Sequence, residues 1–251
     1  IREELLAVAL GVWNHVKNGP PESDPDLDPF GASNWALDWI GFLPGKRESR
    51  RFIGQHVLTE QDVLRSREFG DAIAYGGWSL DLHPPEGIDA PDQQPCQQHH
   101  VPWLYDIPLR CCVARDFSNL MFAGRNLSAT HVAFSSTRVM ATCAIVGQGI
   151  GTAAAYAVHH DLAANALSKN ESAMFAIQQR LLRDDVFLIG HHNSDPSDLA
   201  AAAEISASRE LANGQALNVV SGVTRSVHGK RGAPPDRCVT STHRWMSDPK
   251  K

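Results

Sequence analysis

The sequence predicts an α/β protein in which helices and short strands are mixed along 251 residues. Residues 1–18 place apolar side chains on one helical face, as an amphipathic helix does. Residues 71–82 and 105–113 alternate apolar and polar side chains in the manner of half-buried strands. Residues 137–159 are a long run of small and apolar residues with helical spacing. Together these segments indicate a mixed helix and strand fold.

The composition is that of a globular protein and argues against two kinds of partner. Apolar residues make up 43% of the chain, which is enough to build a core. The net charge is −5, and no basic block occurs, so we expect no nucleic-acid partner. The sequence also lacks a run of about eighteen apolar residues, so we expect no membrane span.

The cysteines and histidines do not form a recognisable metal or disulfide pattern. The five cysteines are odd in number, irregularly spaced and without a CxxC pair: Cys96, Cys111, Cys112, Cys143 and Cys238. His99-His100 has no third ligand at a familiar spacing. We therefore predict no metal site.

The first part of the chain combines packing elements with a cationic segment. The helix over 1–18 is stopped by Gly19-Pro20-Pro21, and a second, short helix is predicted over 32–40. Four cations then precede the strand-like residues 52–58: Lys46, Arg47, Arg50 and Arg51. They form either a solvated turn or a guanidinium cluster that faces an anionic group.

Further local signals lie between residues 59 and 123. Thr59 begins a capping box for a short helix. Gly76-Gly77 interrupts the strand over 71–82, which indicates a bulge or a close backbone approach. His83 follows beside two prolines, where it acts as a ligand or acid/base group or is simply structural. A second strand, over 119–123, follows the strand over 105–113 after a polar turn.

The segment 137–159 admits two interpretations. As strand, glycine turn and helix, the run GQGIG (147–151) would open a nicotinamide-binding Rossmann unit, but its third glycine is not at the required spacing. As one helix, the segment carries a stripe of small residues on one face: Ala144, Gly147, Gly151 and Ala155. Glycine inside a helix costs about 1 kcal/mol relative to alanine, so three glycines indicate close packing. Helix is the better interpretation.

A polar segment ahead of this helix holds the best reactive candidates. It contains five residues of interest: His131, Ser135, Ser136, Thr137 and Arg138. A histidine and an arginine near the positive end of a helix dipole can protonate and stabilise an anion. The same residues are also compatible with a capped helix start and ordinary loop contacts.

Residues 119–158, NLMFAGRNLSATHVAFSSTRVMATCAIVGQGIGTAAAYAV, closely resemble the C-terminal flavin motif of FAD-dependent oxidoreductases. The resemblance is to the glutathione-reductase-like class, and within it to the heterodisulfide reductase A-like subgroup. The segments KRESRRFIGQHVLTEQDV and GGWSLDLHPPEGI resemble central segments of that subgroup, in the same order. The resemblance covers residues 35–195 and implies hydride transfer between a small organic substrate and N5 of FAD.

The resemblance also implies roles for particular residues. The strand ending in Gly124-Arg125 would reach the ribityl and pyrophosphate groups, with Arg125 standing where the family has a carboxylate. The start of the following helix would present backbone N–H groups to the flavin N1/C2 edge. The candidate cofactor-binding residues are Gly124, Arg125, Asn126, Thr137, Arg138, Val139 and Met140. The candidate catalytic residues are His131 and Arg138, and the second-tier substrate contacts are Arg47, Arg50, Arg51 and His83.

The sequence departs from the family pattern in two respects. The GxGxxG motif that binds the ADP moiety does not occur in it, and its cysteines do not support the 4Fe-4S cluster of some relatives. We therefore expect the C-terminal portion of a two-domain FAD-binding fold with a cap domain, which alone binds FAD weakly and is inactive. The alternative is a non-catalytic glycan- or partner-binding protein built on a degraded flavoprotein scaffold.

Four segments are predicted along the chain. Residues 1–110 form a substrate or cap segment, 111–160 the closing half of the FAD-binding domain, and 161–198 a helical extension. Residues 199–251 resemble the start of a β-sandwich of the discoidin or carbohydrate-binding type, which implies glycan contact. Such modules usually belong to extracytoplasmic proteins, which favours an extracytoplasmic bacterial location without establishing one.

Overall fold

The computed structural model describes residues 2–19, 28, 30–43, 45, 48, 50–212, 214–222 and 245–248. The chain forms two compact units, residues 1–49 and 50–251. Helices and small two-stranded sheets both occur in the described residues, which agrees with the mixed class predicted. The further division at residues 110, 160 and 198 stays a prediction.

The first unit begins with the helix predicted at the start of the chain. Helix α1 (Arg2–Asn18) carries acidic residues in its first turn and Lys17 in its last, as the helix dipole favours. Gly19 then takes a positive φ of 69°. Its N–H donates to the His15 carbonyl at 2.8 Å and closes the helix. The predicted helix and its stop are confirmed.

The second helix predicted in this unit, over 32–40, is wrong. These residues form turns and irregular backbone. The Asp28 carboxylate accepts the N–H groups of Ala32 and Ser33 at 2.7 and 3.0 Å. Lys17 Nζ donates to the Ser33 carbonyl at 2.5 Å. Because side chains occupy backbone groups that a helix would pair internally, the local bonds replace the helix.

The described residues of the second unit contain four strands: β1 (Ala72–Gly76), β2 (Leu80–Leu82), β3 (Gln97–His99) and β4 (Tyr105–Pro108). Strand β1 pairs antiparallel with β4, and β2 pairs antiparallel with β3. The strand predicted over 71–82 is therefore two strands, and the irregularity lies between Ala72 and Ala74. Gly76 provides the predicted close approach, because a Cβ there would overlap the Tyr105 ring.

The strands predicted over 105–113 and 119–123 are shorter than expected. The Leu109 N–H still bonds the Asp71 backbone carbonyl at 2.8 Å, but the next N–H, of Arg110, donates to the Asp71 carboxylate at 3.1 Å, and there the pairing of β4 stops. The chain then turns into a short 3-10 helix. The later segment contributes an isolated antiparallel bridge to residue 113. Competing hydrogen bonds thus shorten a strand that the pattern alone extends.

Four more helices are described: α2 (Glu60–Leu64), α3 (His131–Thr137), α4 (Met140–His159) and α5 (Glu171–Arg183). The capping box of α2 is present, with Thr59 and Asp62 bonding to each other's backbone N–H. Helix α5 is amphipathic as predicted and buries one face, which includes Ile177 and Leu181.

The long helix and the segment before it need correction. That segment is itself a helix, α3, because the Thr130 hydroxyl caps it by accepting the Ala133 N–H at 3.2 Å. Extended backbone at Val139 (φ −69°, ψ 146°) separates it from α4, which begins at Met140 and not at 137. The Rossmann interpretation is wrong, because glycines 147–151 lie inside α4.

Helix α4 packs against β1 and α5 through the face opposite the predicted stripe. Ala144, Gly151 and Ala155 are exposed, and a Cβ at Gly147 would meet open space. Close packing occurs instead at Gly149, where a Cβ would lie 2.7 Å from the Ile73 carbonyl oxygen. The packing role predicted for the stripe is therefore wrong, and only the neighbouring glycine needs it.

By length and composition, α4 is the one helix among the described residues that could cross a membrane. A third of the tested window is buried, and a helix that packs in a protein core passes the same test. One such helix is weak evidence for a membrane span. We still expect that the chain has none.

The core of the second unit lies between the sheet of β1 and β4 and helices α3, α4 and α5. Its largest fully buried side chains include Ile73, Tyr105, Ile107, Phe134, Ile177 and Leu181. The described residues beyond 198 contain short 3-10 helices at Leu199–Ala202 and Ala216–Val220 and an isolated bridge. The predicted β-sandwich is not seen there, and much of it falls outside the described residues.

Candidate functional site

Arg138 stands at the junction of α3 and α4 and is held from two directions. Its Nη2 donates to the Asp81 backbone carbonyl at 2.9 Å and to Asp81 Oδ2 at 3.1 Å. Its guanidinium lies 5.8 Å from the centroid of the Phe134 ring. The side chain is 13% exposed, so most of it is shielded from solvent. The fork of an arginine has five N–H donors, and some stay available to a ligand.

Two serines of α3 fix this helix to the segment that carries Asp81. Ser135 Oγ accepts the Asp81 N–H at 3.0 Å. Ser136 Oγ donates to the Trp78 carbonyl and bonds the Tyr105 hydroxyl at 2.7 Å. Both serines are buried, and each hydroxyl has two hydrogen-bond partners. From the sequence, Ser135 and Ser136 were interpreted as loop residues, so this arrangement was not predicted.

Asp81 carries three polar contacts on its carboxylate. The Cys96 thiol donates to Oδ1, and His83 Nε2 and Arg138 Nη2 both lie near Oδ2, at 3.3 and 3.1 Å. The pKa of Asp81 is lowered, chiefly by the hydrogen bond from Cys96. Burial opposes that shift, and Arg138 and His83 add to it. Asp81 is thus an anion that organises the groups around it.

A second cluster surrounds the start of α4. Gly124 has a φ of +86°, a conformation that glycine adopts without strain. Burial raises the pKa of the Cys143 thiol, and the Arg125 charge partly opposes the rise. The Arg125 charge therefore acts on Cys143, which belongs to the first turn of α4. Asn126 supports the loop by accepting the Phe52 N–H at 3.0 Å.

The N-cap residue of α4, Val139, does not cap the helix with its side chain. Val139 has no polar side-chain atom and makes no cap hydrogen bond. The first intrahelical bond runs from the Cys143 N–H to the Val139 carbonyl at 3.0 Å. Met140 is 89% exposed. The leading N–H groups of a 20-residue helix thus carry a positive partial charge at an accessible end.

The remaining candidates are placed differently. His131 is exposed at the first position of α3, and seven helical residues put its Cα about 10 Å from that of Arg138. Arg51 lies 5.8 Å from the centroid of the Phe134 ring, the same ring that Arg138 contacts. Arg50 is exposed, and Arg47 lies outside the described residues.

One cofactor candidate, Thr137, makes internal contacts, and the adjacent cysteines 111 and 112 are buried. The Thr137 hydroxyl is buried and bonds the Phe134 carbonyl at 3.4 Å. The Thr137 carbonyl accepts the Cys143 thiol at 3.6 Å. Cys111 and Cys112 are also buried, and burial raises the pKa of Cys112 to about 12. Burial likewise raises the pKa of Cys111, so neither thiol readily forms the thiolate that redox or cluster chemistry needs.

Asp81 and Cys96 were missed by the sequence reasoning. Asp81 and His83 share one face of a strand because they are two residues apart. Cys96 joins them only through the pairing of β2 with β3, which the sequence did not predict.

Comparison with family models gives one result for this chain. Residues 1–181, well over half of the sequence, match the family described as FAD dependent oxidoreductase. Neither the curated proteins nor the solved structures include a match to the chain. On the strength of the family match over residues 1–181, the chain belongs to the FAD dependent oxidoreductase family.

Proposed function

We propose that this chain forms part of a flavoenzyme that transfers hydride between a small organic substrate and FAD. Family membership supports FAD binding and oxidoreductase activity in general. The heterodisulfide reductase A-like subgroup of the glutathione-reductase-like class is our finer assignment, based on the motifs at 119–158. FAD supplies a redox-active ring whose N5 accepts or donates hydride. The protein supplies binding, orientation and charge.

The observation that carries the proposal is the electrostatic effect of Arg125, in the Gly124-Arg125 turn, on Cys143 in the first turn of α4. A glycine at positive φ lets the backbone approach a ligand closely. Arg125 adds a cation that acts on the first turn of α4, where the leading N–H groups also favour negative charge. These features suit an electron-rich carbonyl edge or a phosphate. They are a good fit to the flavin end of FAD.

The residues next to the Gly124-Arg125 turn and the start of α4 would support flavin binding in different ways. Val139 and Met140 offer backbone N–H groups, and Asn126 holds the glycine turn in place. We assign Thr137 a positioning role, because its hydroxyl is used inside α3. Arg138 retains N–H donors beyond those that Asp81 accepts, which suit an anionic substrate group. His131 is the proposed proton donor, and Arg50 and Arg51 are the proposed outer cations.

The other half of the cofactor has no equivalent support in this sequence. The GxGxxG motif for the ADP moiety is not found in the 251 residues. We therefore expect weak FAD binding by this chain. A 4Fe-4S cluster stays outside the proposal, because the adjacent cysteines 111 and 112 are buried with raised pKa values.

Cofactor binding is tested by titrating FAD into the chain and following flavin fluorescence. The Arg125→Ala variant should bind about tenfold more weakly, the effect of losing one charge-assisted hydrogen bond. Arg115→Ala is the matched control, since Arg115 is exposed and pairs with Asp116. Equal affinity in all three proteins would contradict the Arg125 assignment. Stoichiometric FAD that survives dialysis would contradict the weak binding.

The catalytic assignment is tested in the flavin-loaded enzyme. Removing the cation in Arg138→Gln should lower the midpoint potential of the bound flavin, because less positive charge then stabilises added electrons. The Arg115→Ala control should leave the potential unchanged. His131→Ala should slow flavin reduction by substrate. Unchanged potential and unchanged reduction rate would both speak against these roles.

We also propose glycan contact by the C-terminal segment, on a separate observation. A cavity of about 630 Å³ is lined by residues 205–210, 215–217 and 248. Trp245 is 45% exposed, and its indole N–H donates to the Arg209 carbonyl at 3.3 Å. A fixed, half-exposed indole can stack on a sugar ring. In a glycan screen, Trp245→Ala should bind more weakly than wild type, and the control Trp39→Ala should bind as wild type does. Equal binding by all three proteins would contradict this proposal.

A further inference from the structure

The end of the β2–β3 hairpin brings together a carboxylate, an imidazole and a thiol. The ligand atoms of Asp81, His83 and Cys96 all lie within 4.8 Å of one another. We propose that these three residues bind a single zinc-like transition-metal ion. The proposal is independent of the flavin function, because it rests on this hairpin alone.

Strand register explains why the three side chains share one face. Residue 81 pairs with 98 and residue 82 with 97, so continuing the antiparallel register sets His83 opposite Cys96. Asp81 and His83 are two residues apart and project from the same face. Leu80 and His99 pair on the other face. The backbone therefore places the three ligand side chains close together without any rearrangement of a loop.

The hydrogen bonds of His83 favour a cation between it and Asp81. His83 Nδ1 lies 2.9 Å from the Pro95 carbonyl, which can only accept, so we infer that Nδ1 carries a proton. His83 Nε2 then faces Asp81 Oδ2 at 3.3 Å. Nε2 is therefore the ring nitrogen that faces the carboxylate and that can bind a metal ion, and an N–H to a backbone carbonyl is typical of metal-bound histidine.

The ligand set selects the kind of metal. A thiolate and an imidazole favour zinc or a similar transition metal over magnesium and calcium, which prefer oxygen ligands. Zinc bonds of about 2.0–2.3 Å in a tetrahedral site set the ligand atoms about 3.5 Å apart. The three ligand atoms lie within 4.8 Å of one another, so side-chain rotations on a fixed backbone would bring them to that spacing. Three protein ligands leave a fourth position for water or a ligand.

Charge balance is consistent with Arg138 next to the site. Asp81 and a Cys96 thiolate together neutralise a divalent ion, and Arg138 then acts as an outer partner that orients the carboxylate. Binding displaces the Cys96 thiol proton to solvent. The side chains of His83 and Asp81 are 41% and 20% exposed, which gives an ion access.

The test titrates cobalt(II) and zinc(II) into the full chain. Wild type should take up one cobalt ion with a sulfur-to-cobalt charge-transfer absorption, and Cys96→Ser should lose that absorption. His83→Gln should bind zinc at least tenfold more weakly, since one of three ligands is removed. The matched controls are His99→Gln, on the opposite face of the same hairpin, and Cys143→Ser, a partly exposed thiol elsewhere. Both should behave as wild type.

Several outcomes would overturn the site. These are a wild type without cobalt charge transfer, a band that disappears in Cys143→Ser, or a His99→Gln variant that weakens zinc binding as much as His83→Gln. Circular dichroism verifies the fold of each variant. Zinc-edge X-ray absorption on wild type needs no variant at all. One sulfur in the zinc shell supports the site, and a shell of nitrogen and oxygen only refutes it.

Discussion

Helices α3 and α4 follow one another in the chain and reverse the usual relation between polarity and burial. Helix α3 ends in Ser-Ser-Thr, yet all three of these residues are at most 2% exposed. Helix α4 is rich in alanine and glycine, yet Met140 and Val158 are 89% and 82% exposed. The polar helix is the buried one.

Hydrogen-bond partners account for the difference. Burying a hydroxyl without a partner is costly, and each hydroxyl of α3 has one, from β2, from Tyr105 or from its own helix. Helix α4 buries only the face that meets β1 and α5. Side-chain polarity therefore predicts burial poorly where the neighbouring elements supply the missing hydrogen bonds.

The largest effect is expected on the packed face of α4. A Cβ at residue 149 would lie 2.7 Å from the Ile73 carbonyl oxygen and 3.0 Å from its Cβ. Gly149→Ala should lower the free energy of unfolding by about 2–3 kcal/mol, as overpacked cores do. Urea unfolding monitored by circular dichroism measures it. A neutral result would mean that β1 and α4 separate more easily than their packing indicates.

The next effect concerns the buried hydroxyls of α3. Ser136→Ala removes the partner of the Trp78 carbonyl and of the Tyr105 hydroxyl. We expect a loss of about 1–2 kcal/mol in unfolding free energy, because buried polar groups are left unpaired. Thermal and urea unfolding of the variant both report it. Stability equal to wild type would show that water replaces the serine.

Alkaline pH should act through the same contact. Burial raises the pKa of Tyr105 well above its ordinary value of 10.0, and the Ser136 hydrogen bond only partly offsets this. The unfolded chain therefore releases this proton first as pH rises above about 10. The contribution of Tyr105 to the free energy of unfolding is fully present below that pH, and above it the free energy of unfolding falls by up to about 1.4 kcal/mol per pH unit. Unfolding at pH 9 and 11 measures the slope, and an unchanged slope in Tyr105→Phe would contradict the assignment.

The smallest effect is expected on the open face of α4. Gly147→Ala adds a Cβ into space with no atom within 4 Å. The change should raise the unfolding free energy by about 0.5–1 kcal/mol, because alanine favours helix over glycine. The same measurement on Gly149→Ala gives the opposite sign. A destabilised Gly147→Ala would mean that this face is covered in the folded protein.

The candidate site was predictable in part. The Gly124-Arg125 turn and the following helix start carry local signals, namely a glycine after an apolar run and a long helical pattern. The contacts of Arg138 with Asp81, and of Asp81 with His83 and Cys96, carry no such local signal. They depend on hydrogen bonds that join residues as far as 57 positions apart. Spacing rules for metal ligands or catalytic groups do not reach across such a distance.

The sequence by itself determined the helices α1, α2 and α5, the family, and the helical state of the glycine-rich segment. Each of these follows from spacing, capping residues or a contiguous motif, which are properties of neighbouring residues. Only the tertiary structure decided which face of α4 is buried, where β4 ends, and what surrounds Arg138. Those outcomes depend on hydrogen bonds and close contacts between distant segments, such as Gly149 with Ile73 and Arg110 with Asp71. Local pattern selects the elements, and the available partners decide how each one is used.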